Sequence, residues 1–420
     1  MTRMKDSGIE WIGEVPEDWG IKKLSQFFSE HKLKNLGNIE QNLLSLSYGK
    51  IVRKSIKSSV GLLPESFETY NIIDSNDIVL RLTDLQNDKR SLRTGLANER
   101  GIITSAYLTI RLIDGNDSAK YYHYLLHSYD KCKVFYNFGG GVRQGGTWDD
   151  LSVLKMIAPP KDEQTKIADF LDKKVAQLDE VKSLLEEQIK TLEDYRQSLI
   201  YETVTKGLDK TVPLKDSGVD WIGQIPEGWN VDRLGFHIYE INEKNIPQKS
   251  DFILSLTNKD GVIPYEEKGN QGNNSKDNLL DYKLAYPDTI VANSMNILIG
   301  SVGYSNYFGC ISPVYYVFKE RKGTNLRFVN YIMATQLFQK ELRKYANGIL
   351  EIRLRVSSED ILKRFCAFPS LSDQDKIVSY LDKRTNQINQ MIAIKKEQIE
   401  NINKQRQTLI YDYVTGKRRV

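Results

Sequence analysis

Apolar residues recur every seven positions along one stretch of the chain, at Leu171, Leu178, Leu185, Leu192 and Leu199. Val181 and Tyr195 fall at intermediate sites, and neither Pro nor Gly interrupts 163–206. This spacing predicts a long helix with a seam for a partner helix. Pro159-Pro160 precedes it, Asp162 is its predicted N-cap and Gly207 its stop. About 43 helical residues at 1.5 Å each would span roughly 65 Å. A second such stretch runs over 373–415, with Leu381, Ile388, Ile402 and Leu409 at heptad sites. Lys395 breaks that seam, and Met391, Ile392, Ile394 and Ile399 widen the apolar face around it. Ser372 and Asp375 fit a capping box at its start.

Elsewhere the period shortens. Segments 42–48, 77–82 and 104–112 are β-rich and bounded by Gly, Asn, Asp and Ser, as are 252–257, 289–292 and 314–318. Helical spacing returns over 119–129 (Tyr121, Tyr124, Leu125) and over 325–345 (Phe328, Tyr331, Ile332, Leu337, Phe338, Leu342). The chain therefore mixes compact α+β segments with two long helices.

The chain also repeats itself. Lys5-Asp6-Ser7-Gly8-Ile9-Glu10-Trp11-Ile12-Gly13 returns as Lys215-Asp216-Ser217-Gly218-Val219-Asp220-Trp221-Ile222-Gly223, an offset of 210. Pro16, Glu17 and Trp19 return as Pro226, Glu227 and Trp229. The register persists through Gln164 and Gln374, Leu171-Asp172-Lys173 and Leu381-Asp382-Lys383, and Leu199-Ile200-Tyr201 and Leu409-Ile410-Tyr411. The centre of each half drifts by a few residues. A kept scaffold around a changed centre suits recognition of two different things with one geometry. The divisions that follow are 1–160, 161–207, 208–370 and 371–420. If a pseudo-twofold axis crosses the long helices, they lie antiparallel as a rigid spacer with a globular domain at each end. The four repeated tryptophans read most simply as packing residues.

Composition adds limits. With 420 residues, 40% hydrophobic and 27% charged, the chain can build more than one packed core. No apolar run reaches the roughly 18 residues a membrane helix needs. The first twenty residues carry five acids and no apolar signal-peptide core. Cys132, Cys310 and Cys366 are too few and too scattered for a disulfide framework or a zinc site. A cytoplasmic setting is expected. The net charge of +4 is mild, but it is unevenly spread: +5 over 20–158, +3 over 230–368, −3 over 161–207 and +4 over 370–420. The globular segments carry the excess positive charge that phosphate contact requires. The helices carry opposite signs, which favours their pairing.

The candidate DNA contacts follow that charge. Tyr48, Lys50, Arg53, Lys54 and Lys57 lie in a basic stretch with no acid. Arg81, Gln86, Arg90 and Arg93 follow, with side chains that pair with guanine or adenine edges, although Asp84 and Asp88 dilute the charge. Gly139–Gly146 lacks the Lys-Ser/Thr of a nucleotide-binding loop and is read as a flexible loop presenting Arg143 and Gln144. The second half offers an amide-rich set, Asn258, Lys259, Asn293, Ser294 and Asn296, with Arg353 and Arg355 further on. Different base sequences for the two halves would follow. The plain alternative for each is a solvated surface loop, and for the Asn/Gly cluster at 270–274 an ordinary turn. His31, His123, His127 and His237 have no acid at a recognisable spacing, and no methyltransferase, helicase or nuclease motif stands out. No active site and no metal site is expected. From the residues, three readings stay open: a DNA-recognition protein, a coiled-coil scaffold, and an enzyme with an unrecognised site.

The duplicated Trp-Ile-Gly-x-x-Pro-x-x-Trp opening, the segment Pro159–Asp172 and the segment Arg196–Gly207 together resemble the specificity subunit of type I restriction-modification enzymes. The second copy departs locally: Asp373 replaces Glu163 and Ser370 replaces Pro160. The resemblance covers the whole chain. It implies two pseudo-symmetric α+β target recognition domains, separated by two long antiparallel coiled-coil helices, each reading one half of a split, asymmetric site in double-stranded DNA. It further implies that the helices act as a ruler. Two methyltransferase subunits would dock on the chain and supply S-adenosylmethionine and adenine N6 methylation. Two restriction subunits would add ATP- and Mg-dependent translocation and cleavage. The specificity subunit itself would be non-catalytic, hold no cofactor and touch no membrane.

Overall fold

The structure, a computed structural model, describes residues 3–55, 66–85, 92–139, 145–258, 260–269, 278–347 and 354–420. The helices are α1 (Ala119–Lys131), α2 (Trp148–Ser152), α3 (Lys161–Lys206), α4 (Leu326–Met333), α5 (Gln336–Arg343), α6 (Ser358–Leu362) and α7 (Leu371–Val414). The chain divides into two compact units. The first comprises Met1–Leu185 with Glu397–Val420, the second Glu186–Lys396. The first unit thus draws on both ends of the sequence. No described helix is long and apolar enough to cross a membrane.

In the first unit, Met4–Asp6 pairs with Glu14–Pro16, and Gly20–Lys23 with Lys155–Ala158, both antiparallel. A four-stranded sheet runs in the order Thr94–Leu96, Ile78–Leu80, Leu108–Leu112, Phe28–Glu30. Its inner face meets Tyr121, Tyr122, Leu125 and Leu126 of α1 in one core that also takes Leu171 and Val175 of α3 and Ile410 and Val414 of α7. Truncating a fully buried leucine such as Leu171 to Ala costs about 2–5 kcal/mol.

The second unit repeats this plan. Its sheet order is Ile238–Ile241, Tyr315–Glu320, Thr289–Asn293, Val302–Ser305, the same succession of corresponding strands. Asn230–Arg233 pairs with Phe365–Phe368. Its core joins Phe318, Phe328, Ile332, Phe338 and Leu342 to Ile200 and Val204 of α3 and Ile377 and Leu381 of α7.

The repeated residues serve as the joints of this plan. In the first unit Gln164 accepts from Ser118 N at 3.0 Å and donates to Pro159 O at 3.1 Å. In the second Gln374 accepts from Asn325 N at 2.8 Å and donates to Pro369 O at 3.1 Å. Each glutamine ties the start of a long helix to the N-cap of a domain helix. Asp172 accepts from Tyr124 Oη at 2.9 Å, and Asp382 from Tyr331 Oη at 2.8 Å. Thr147 with Asp150 forms a capping box on α2, and Ser357 caps α6 by accepting from Asp360 N at 3.0 Å. The tryptophans pack as expected: Trp19, Trp221 and Trp229 are buried and Trp11 half-buried against Tyr129.

Within each unit the α3 and α7 segments run antiparallel. In the first, Phe170 meets Tyr413 with ring centroids 4.5 Å apart, and Asp179 lies 3.5 Å from Arg406. Leu178 and Leu409 line one shallow groove, Leu185 and Ile402 another. In the second, Lys395 donates to Gln188 at 2.6 Å and Arg196 to Asn389 at 2.5 Å. Lys395 therefore fills its seam position by pairing with an amide. Leu381 and Ile388 are buried, and Leu192 and Leu199 half-buried. Val181, Tyr195, Met391 and Ile394 are exposed instead, because one partner helix covers one stripe only.

Three local expectations need correction. The single helix over 325–345 is two helices, broken at Thr335, whose Oγ1 accepts from Phe338 N at 3.3 Å and starts α5. The cap of α7 is Ser370, whose Oγ accepts from Asp373 N at 3.2 Å, not Ser372 with Asp375. Asp162 lies inside the first turn of α3, where Glu163 N and Gln164 N donate to Pro160 O. Gly207 does end α3, at φ +70°.

Candidate nucleic-acid interface

In the first unit the candidate contacts begin on a tight hairpin. Leu44–Ser47 pairs with Lys50–Arg53 in register, leaving Tyr48 and Gly49 as the turn. Both have positive φ, +47° and +77°, as a two-residue hairpin turn demands. A side chain at Gly49 would also press on Leu92 at 3.0 Å. The turn pushes the Tyr48 ring outward until it is 89% exposed. Lys50 reaches Asp179 of α3 at 3.3 Å. Arg53 donates from Nε to both oxygens of Glu99, at 2.8 and 2.9 Å, and from Nη2 to Oε2. The hydrogen bond and charge of each partner raise the Arg53 guanidinium and lower the Glu99 carboxyl from their usual ranges. Lys54 is exposed at the end of the strand.

Arg93 overturns its sequence reading. It is fully buried, and its guanidinium donates to the carbonyls of Arg81, Thr83 and Asp84 at 3.1, 2.8 and 3.3 Å and stacks near Tyr136. Its own N–H donates to Asp130 at 2.8 Å. Arg93 is thus a post that fixes the 81–85 segment, with no edge left for a base. Gly146 N donates to Leu82 O at 2.7 Å, which anchors the end of the glycine-rich loop to the same segment. Arg81 is half-buried there. The structure therefore gathers the 48–50 turn, the 81–85 segment and the base of the glycine loop around one sheet edge.

In the second unit the corresponding hairpin, Leu254–Thr257 with Gly261–Pro264, places Asn258 in its loop. Asn258 Nδ2 donates to Ile299 O at 3.2 Å, beside the turn that the exposed Asn296 opens. Asn293 and Ser294 are buried, contrary to expectation. Asn293 Oδ1 accepts from Met295 N at 3.0 Å, and Ser294 O from Val356 N at 3.0 Å. They shape the loop and do not face solvent. Arg355 is exposed on a short backbone pair with Asn347. Lys57, Gln86, Arg90, Arg143, Gln144, Lys259, Arg353 and the 270–274 cluster lie outside the described residues.

The acids that pair with the basic residues were not legible in the sequence. Glu99 and Asp179 lie far along the chain from Arg53 and Lys50. His31, Asp74 and Asp77 bring ligand atoms within 4.8 Å of one another. Arg111 already holds both carboxylates at 2.6–2.7 Å and Arg100 holds Asp74 at 2.8 Å, so this group reads as an ion-pair cluster. Burial would raise Asp74, but the bonds from Arg111 and Arg100 bring it below the usual carboxylate range.

The family model described as the type I restriction modification DNA specificity domain matches residues 16–191. A Methanocaldococcus jannaschii protein named as the type I restriction enzyme MjaVIII specificity subunit is 22% identical, over 97% of this chain and 94% of its own. A second from that organism, named for the MjaX specificity subunit, is 23% identical over 97% and 96%. Among solved structures, one describing assembly and conformational transition of the type I R-M system aligns with TM-score 0.68 at 17% identity, covering 95% of this chain and 98% of that one. The HsdS subunit from Thermoanaerobacter tengcongensis aligns with TM-score 0.50 at 17% identity, covering 96% and 98%. These structures share the fold.

Proposed function

We propose, from this chain's membership of the type I restriction-modification specificity-subunit family, that it reads a two-part, asymmetric site in double-stranded DNA, one part per unit. One observation carries the reading. The two units keep the same joints, Gln164 and Gln374, Asp172 and Asp382, yet carry different chemistry at the corresponding hairpin. The first offers Tyr48, Lys50, Arg53 and Lys54, the second Asn258. A constant frame with unlike tips gives unlike base preferences in one geometry. The specificity subunit has a DNA-recognition role. Catalysis belongs to its partners: two methyltransferase subunits with S-adenosylmethionine, and two restriction subunits with ATP and Mg. The base to be methylated leaves the duplex for a partner's site. The paired α3 and α7 set the unread gap between the two half-sites.

Methylome sequencing of cells that express this chain with its methyltransferase partner tests the reading. Adenine methylation at two short motifs with a fixed gap is the expected result; methylation without a motif, or at one continuous motif, would sink it. Inserting four residues into α3 lengthens it by about 6 Å and turns it by just over one helical turn. The gap should change while both motifs persist. A change in the motifs themselves would count against the ruler.

A further inference from the structure

The face of α1 that carries His127, Ser128, Lys131 and Cys132 and the segment Lys404–Tyr411 of α7, all in the first unit, enclose a half-open cavity of about 250 Å³. The wall combines two lysines, Lys131 and Lys404, with the amide of Gln407 and the hydroxyl of Thr408. Ile410, Cys132 and the Tyr411 ring complete it, and no carboxylate among the described residues lines it. His127 also lines it; that residue is 6% exposed, and its Nε2 is buried with no hydrogen-bond partner.

The surroundings of that nitrogen are positive. Burial first, then His123, Arg406 and Lys131, lower His127 to about 3. Burial and Arg406 lower His123 to about 4. Both rings are therefore neutral at pH 7. Lys131 is itself lowered by burial, with Asp130 opposing, and Asp130 stands outside the wall. The repeat does not keep this arrangement. The position of Lys404 is Asp194 in the other copy. The basic charge of this wall is thus not kept by the repeat.

We infer that this cavity binds a small organic oxyanion: Lys131 and Lys404 hold its charged end, Thr408 and Gln407 donate to it, and Ile410 and Tyr411 cover its short apolar body. The volume is below the roughly 300–1,000 Å³ of drug-sized ligand sites, which suits a di- or tricarboxylate or a phosphate ester.

Cys132 supplies the readout, since it is the exposed cysteine at the wall while Cys310 and Cys366 are buried. The full chain is treated with a thiol reagent in the presence of citrate, succinate, inorganic phosphate or sodium chloride at matched ionic strength. A bound oxyanion present at ten times its dissociation constant should slow Cys132 labelling about tenfold. Lys404→Glu, at an exposed position, should abolish that protection when each rate is taken relative to the same variant's own rate in chloride, since the charge change beside Cys132 also alters its basal rate. Equal slowing by chloride, or full protection in Lys404→Glu, would overturn the site. Protection by a short DNA duplex but by none of the free anions would overturn it too, and would reassign the lysines to the DNA backbone.

Discussion

The hydroxyl of Tyr411 donates to the main-chain carbonyl of Trp11 at 3.0 Å, joining residues from opposite ends of the sequence inside the first unit. The second unit makes the same bond between neighbours in sequence: Tyr201 donates to Trp221 O at 3.1 Å and to Ile222 O at 2.9 Å. The repeated Trp-Ile-Gly segment is in each case the clasp on the end of a long helix. Tyr411→Phe keeps the ring and removes the donor. It should lower the stability of the first unit by about 1 kcal/mol, read as a shift of the urea midpoint at unchanged slope. Tyr201→Phe should do the same to the second unit.

Arg93 is a framework residue. Arg93→Met removes the buried guanidinium that donates to the carbonyls of Arg81, Thr83 and Asp84. A loss of about 3 kcal/mol or more is expected in denaturant unfolding, with weaker DNA binding as a secondary effect. If Arg93→Met binds DNA poorly but unfolds like the parent chain, the arginine contacts DNA after all.

On the proposed reading, in which Arg53 contacts DNA, Glu99 competes with DNA for it. Glu99→Gln should raise DNA affinity several-fold and steepen the log–log salt dependence by about 0.9 for one added phosphate contact. Arg53→Gln should lower affinity and flatten the slope by a similar amount. Arg53 is largely solvent-exposed and Glu99 about one-third exposed, so the unfolding midpoint should move little. Fluorescence anisotropy on a labelled duplex across a salt series reads both effects.

Acid should weaken the first unit through His123 and His127. Their folded-state values, about 4 and about 3, lie below the ordinary histidine range near 6.5. Below pH 6.5 the unfolded chain therefore takes up protons that the folded chain refuses, and stability falls as pH drops towards 4. The two together should cost on the order of 2–3 kcal/mol by pH 5.5. His127→Gln should remove about half of that pH dependence between pH 6.5 and 5, measured by calorimetry.

The heptad leucines were legible because a helix seam is a local, periodic property. Leu171 and Leu381 lie in the two cores, with Leu178, Leu185, Leu192, Leu199, Ile388, Ile402 and Leu409 along the paired helices. The repeat also exposed the joints, since Gln164 and Gln374 make equivalent bonds. What failed depended on distant partners. Nothing near Arg93 in sequence announces that three carbonyls and Tyr136 will close around its guanidinium. Asn293 and Ser294 resemble solvent-facing loop residues until Met295, Ser301 and Val356 fold over them. The break at Thr335 turns on a cap competing with an otherwise continuous apolar stripe. For the same reason, the acids beside Arg53 and Lys50 escaped a reading based on local charge.

The division of the chain between its units has a bearing on synthesis. Glu186–Lys396 is one unbroken stretch, whereas the first unit needs Glu397–Val420 to fill its core with Ile410 and Val414. A ribosome completes every residue of the second unit before it has delivered the last helical turns of the first. A message cut short near codon 396 would leave the earliest-made part of the protein without its closing segment, and the latest-begun part whole.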